Sequence, residues 1–104
     1  MTQSVRVCSS DAIEPEHGLR FDHAGHTHAL CRGEDGAYYA MDGLCSHEQV
    51  ALGDGFVFGF ALECPRHQGR FDIRNGKALR APACVDLRTH AVKVEAGSVH
   101  LGTD

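Results

Sequence analysis

An all-β domain of antiparallel sheets is predicted by three features of this sequence. Apolar residues recur at period two in short runs. Glycine-containing turns separate those runs. No window sustains an apolar repeat of helical period over ten or more residues. With 104 residues there is room for one domain, which is expected to bury roughly 65% of its unfolded surface. Aromatic residues make up only 7% of the chain and there is no Trp, so the interior must be built mainly from Val, Leu, Ala and five Phe.

Val5 and Val7 open the first strand. Ser9-Ser10-Asp11 ahead of Ala12 and Ile13 has the composition of a helix start and is expected to give a single helical turn. Leu19 and Phe21 mark the second strand, His26 to Arg32 the third and Tyr38 to Met41 the fourth. Gly33-Glu34-Asp35-Gly36 is the hairpin loop between the last two. Beyond Gly43 the pattern becomes irregular: a Cys-containing loop, short runs at Phe56 to Phe58 and Phe60 to Glu63, a second Cys loop, and a strand at Phe71 to Ile73. Asn75-Gly76 turns that strand back toward Ala78 and Leu79, because both turn residues tolerate positive φ. The last hairpin is expected to run from Leu87 to Glu95, turn at Ala96-Gly97 and return through Ser98 to Leu101.

Charge and composition narrow the function. A formal net charge of -4, with ten Lys and Arg spread over the whole chain, argues against a nucleic-acid surface. No stretch approaches the apolar length needed to span a bilayer, and MTQSVRVCSS lacks the basic region and apolar core of an export signal. A cytoplasmic location without membrane attachment is expected. Five Cys is an odd count without a dense disulfide pattern, which fits thiols kept reduced or assigned to a metal. Eight His are many for this length, and imidazole is the commonest metal ligand.

Two motifs gather these donors: Cys45-Ser46-His47 and, after sixteen intervening residues, Cys64-Pro65-Arg66-His67. Each pairs one thiolate with one imidazole in a tight loop, as needed to grip metal from two directions. Gly43 and Gly69 let the backbone wrap closely, and Pro65 stiffens the second loop. Cys45, His47, Cys64 and His67 form a Cys2His2 set that suits either a single zinc ion or an iron-sulfur cluster. Spacing favours the cluster. Zinc fingers usually pair Cys with Cys and His with His, whereas two facing mixed loops can bring both thiolates to one iron and both imidazoles to another.

This spacing resembles the signature of the Rieske 2Fe-2S proteins, in which two His replace two Cys on one iron. With Gln68-Gly69-Arg70-Phe71-Asp72 and Ala81-Pro82-Ala83-Cys84 added, the chain looks like the soluble Rieske ferredoxins of bacterial ring-hydroxylating dioxygenase systems, most clearly over residues 43 to 95. The resemblance implies one [2Fe-2S] cluster per chain on Cys45, His47, Cys64 and His67. It implies one domain over residues 1–104, an antiparallel sandwich or barrel base with a small inserted cluster-binding subdomain at approximately 43–82. Leu79 to Ala83 would cover one side of the cluster, with Pro82 either in that cover or a simple turn residue. No catalytic site of its own is implied; the partners implied are a flavin-dependent ferredoxin reductase using NADH or NADPH and a terminal oxygenase. Two alternatives stand beside this carrier: a redox subunit of the nitrite-reductase small-subunit type, and a zinc-stabilised interaction module.

Departures from the family pattern refine the expectation. Quinol-oxidising members carry a disulfide where this chain has Val50 and Arg66, and Ser and Tyr hydroxyls where it has Gly69 or Arg70 and Phe71. Fewer O–H donors leave a reduced cluster less stabilised, so the potential should lie toward the lower end of roughly -150 to +300 mV. Neutral imidazoles offset less iron charge than thiolates do, so the added electron should settle on the His-ligated iron. An outer imidazole N–H should couple the potential to pH, lowering it as pH rises.

The remaining residues take plainer roles. Glu48, Asp54 and Glu63 are candidate negative rim charges, and Arg66 and Arg70 flank the second loop. Cys8, Cys31 and Cys84 are expected to be structural thiols. His23, His26 and His28 should form an exposed polar face, His17 should sit in a loop, and His90 and His100 should be strand residues without a carboxylate partner suited to a mononuclear iron.

Overall fold

The computed structural model describes residues 4–44, 56–64, 69–80 and 86–102. Eleven strands are seen among them: β1 (Ser4–Ser9), β2 (His17–His23), β3 (His26–Arg32), β4 (Tyr38–Asp42), β5 (Phe56–Phe58), β6 (Ala61–Glu63), β7 (Arg70–Asp72), β8 (Ala78–Arg80), β9 (Thr89–His90), β10 (Val92–Glu95) and β11 (Ser98–Gly102). They form three antiparallel sheets, ordered β1-β11-β10, β2-β3-β4-β9 and β5-β6-β7-β8. No helix occurs among the described residues, so none is long and apolar enough to cross a membrane.

The β2-β3-β4-β9 sheet is the middle layer, and the centres of β3 and β4 are buried on both faces. Leu30 and Ala40 pack with Val99, Leu101 and Ile13 toward the β1-β11-β10 sheet. Ala29, Cys31 and Met41 pack with Val57, Leu62, Phe71 and Ile73 of the third-sheet region. This explains why His28, Ala29, Leu30 and Cys31 are all buried in succession: a strand covered on both sides loses its polar-out alternation. Fully buried Leu62 and Phe71 each contribute roughly 1.5–3 kcal/mol.

Three local expectations are corrected. Residues 9–13 form a turn rather than a helical turn, closed by the Ala12 N–H donating to Ser9 O at 3.1 Å. The Tyr38 hydroxyl donates to Ser10 O at 2.6 Å and Arg32 Nη1 to Ile13 O at 2.8 Å, occupying carbonyls that a helix would need. The segment from Leu87 to Glu95 is not one strand. It breaks at Ala91 and changes sheets, β9 pairing with β4 and β10 with β11. His17 opens β2 opposite Arg32 instead of lying in a loop.

The third sheet is tied to the middle one at its β5–β6 turn. The Gly59 N–H donates to the Glu16 carboxylate at 2.9 Å, and Gly59 O accepts from the Glu34 N–H at 3.2 Å. Glu16 holds this position from a left-handed backbone, φ 63°. Both backbone polar groups of this one turn residue are thereby held by residues flanking the middle sheet.

Candidate metal centre

Pairing across the third sheet places Phe56, Glu63, Arg70 and Arg80 in one row. These residues are the first of β5, the last of β6, the first of β7 and the last of β8. The segments 45–55, 65–68 and 81–85 therefore all attach at one end of this sheet. Cys45, His47 and His67 belong to those segments and lie outside the described residues, as do Glu48, Val50, Asp54, Arg66, Pro82 and Cys84.

Cys64 is the predicted ligand that is described. It is 1% exposed and lies in the core cluster with Leu62, Phe71 and Ile73. Its N–H donates to Gly69 O at 2.8 Å, continuing the β6–β7 ladder by one rung and closing the mouth of the segment that carries His67. A soft donor fixed at such a mouth and shielded from water suits an iron-sulfur ligand. Cys31 differs. Burial pushes its thiol up to about 12, where thiolate is inaccessible at neutral pH, and the expected structural role holds. Burial also raises the Cys8 thiol, against the opposing charge of Arg6.

The first ligand segment leaves from the end of β4, where the backbone is pinned on both sides. The Asp42 N–H donates to Arg88 O and the Gly43 N–H to Thr27 O, each at 2.8 Å. Glycine is needed at 43 for close approach: a β-carbon would lie 2.6 Å from the His28 carbonyl carbon and 2.8 Å from its amide nitrogen.

Beside this root the histidines depart from expectation. His26 is exposed, but His28 is 6% exposed. Position 28 shares the face of Leu30, so the supposed polar edge runs into the sandwich interior. His90 is a strand residue as expected, and its Nε2 lies 2.8 Å from Asp42 Oδ1. Its ring meets that of His28 edge-on, with centroids 4.7 Å apart. Among the described residues no three His, Cys, Asp or Glu are arranged to hold a metal ion, so this group is not a second metal site.

Glu63 is likewise not a rim charge. It is 8% exposed on the outer face of the third sheet and pairs with Arg70 at 3.4 Å, while the Arg70 guanidinium lies 5.7 Å from the Phe58 ring centre. Phe56 and Phe58 are themselves 59% and 51% exposed, an apolar surface that alternation in the sequence did not distinguish from core.

The Rieske [2Fe-2S] domain family matches residues 3–91. The ferredoxin component of the naphthalene 1,2-dioxygenase/salicylate 5-hydroxylase systems of Ralstonia sp is 49% identical over 61 residues, covering 59% of this chain and 59% of that relative. The chain thus matches under two thirds of that relative's length. The biphenyl 2,3-dioxygenase ferredoxin component of Rhodococcus jostii (strain RHA1) is 37% identical over 95 residues, covering 91% of this chain and 88% of its own length. A solved complex of reduced oxygenase and oxidized ferredoxin in carbazole 1,9a-dioxygenase contains a chain that superposes with a TM-score of 0.89 at 28% identity, covering 93% of this chain and 99% of that one.

Proposed function

This chain belongs to the Rieske [2Fe-2S] domain family, and from that premise we propose that it is a one-electron carrier whose cluster is held by Cys45, His47, Cys64 and His67. The observation that carries the reading is the single row of strand ends from which the ligand segments leave, with buried Cys64 fixed beside it. The cluster, when bound, supplies a reversible one-electron couple. Cys45 and Cys64 would bind as thiolates and His47 and His67 as neutral imidazoles. The region of approximately 43–82 would act as the cluster-binding subdomain of one domain spanning residues 1–104, a reading supported by the separate β5–β8 sheet within it.

Phe71 is buried in the core and offers no O–H donor, which supports a potential low in the Rieske range. The relatives are ferredoxin components rather than catalysts, and one similar ferredoxin is seen in complex with an oxygenase. We therefore read the partners as a flavin-dependent reductase fed by NADH or NADPH and the terminal oxygenase of an aromatic-ring dioxygenase system. A cytoplasmic location belongs to the same proposal, since structural thiols such as Cys31 stay reduced there.

Reconstitution tests the role. Mixed with NADH, a ferredoxin reductase and the terminal oxygenase of such a system, the protein should restore substrate-dependent oxygen uptake in proportion to its concentration. Equal uptake without it would end the carrier reading.

A further inference from the structure

We propose that buried His28 makes the root of the first ligand segment acid-sensitive, so that protonating it unfastens the end of β4 and speeds loss of the cluster. The inference rests on the proposed function in one respect, that the segment beginning at residue 45 carries ligands.

His28 Nδ1 is buried and has no hydrogen-bond partner, the one side-chain atom in that condition among the described residues. The backbone of the same residue forms the surface against which Gly43 is seated, and Gly43 stands two residues before Cys45. His28 also pairs across the strands with Asp42. A change at this imidazole therefore acts on the last described turn of chain before the proposed ligand.

The titratable groups facing it are His90 on β9, Asp42 on β4, Asp22 and His23 on β2 and His26 on its own strand. Three are imidazoles; of the two carboxylates, Asp42 is already engaged by His90 and half exposed, and Asp22 is exposed and paired with Arg20. A proton on His28 would place a cation in a dry site whose neighbours do little to neutralise it. Burial holds the imidazole below its ordinary value of 6.5, His90 pushes the same way, and Asp42 opposes. The sign follows: the neutral ring's stabilisation is complete above the ordinary histidine value and is lost as pH falls below it toward the depressed one. Acidification should loosen this corner, whereas alkalinisation should leave it unchanged.

The test follows visible absorbance of the holoprotein, and separately its thermal midpoint, between about pH 7.5 and pH 5.5, a window that brackets the histidine range. The wild type should lose colour several-fold faster at the acid end. His28→Phe keeps the ring volume without titrating and should flatten the pH dependence of both readouts. Asp42→Asn removes an opposing charge from a half-exposed position and should steepen it, which decides the matter if His28→Phe does not fold. Profiles for wild type, His28→Phe and Asp42→Asn that run parallel would overturn the inference while leaving the carrier intact. A wild type that is colourless at every pH would overturn both.

Discussion

Replacing Cys64 with serine should yield colourless protein that retains neither iron nor inorganic sulfide. A serine hydroxyl does not ionise at neutral pH, so the replacement removes one of the two proposed thiolates outright. The new hydroxyl would also sit in an apolar cluster with Leu62, Phe71 and Ile73, where a polar group is less favourable than the thiol it replaces. Cys45→Ser should bleach the protein equally. Cys31→Ser is the control that separates ligation from packing: that thiol is as buried as Cys64, so its loss should lower the melting temperature and leave the colour. Full iron retention in Cys64→Ser, or bleaching in Cys31→Ser, would refute the assignment of ligands.

Gly76→Ala should be strongly destabilising, by about 2–5 kcal/mol, from a left-handed penalty of about 1–2 kcal/mol and a steric one of about 1–3 kcal/mol. Gly76 has a φ of 76°, and an added β-carbon would overlap the Leu87 carbonyl. That carbonyl cannot easily withdraw, because the Leu87 N–H donates to Gly76 O at 2.7 Å while the Gly76 N–H donates to Asp72 O at 2.7 Å. Gly97→Ala provides the comparison. Its φ is also 76°, but nothing lies within 4 Å of the added carbon, so only the conformational part should appear. Urea unfolding read by circular dichroism checks both, and equal midpoint shifts would show that the Leu87 contact contributes nothing.

How far the sequence was legible varies with how local the cause is. The hairpin at Gly33 to Gly36 and the turn at Asn75-Gly76 follow from residues that tolerate positive φ, and the structure places positive φ at Gly36 and Gly76. The Cys and His spacing pointed to the family that the comparisons then identified. What failed depended on distant chain. His28 reads as the outer member of a polar repeat until Asp42 and His90 close over it. Glu63 reads as a surface charge until Arg70 on the next strand pairs with it. The break at Ala91 carries no local mark, since it results from two sheets competing for one stretch of chain.

Metal analysis joined to electron paramagnetic resonance tests the central claim most directly. Purified protein should contain two irons and two inorganic sulfides per chain, and anaerobic reduction should give a one-electron signal that histidine ligation makes distinct from that of four-cysteine clusters. Zinc in place of iron, iron without sulfide, or a four-cysteine type of spectrum would contradict it.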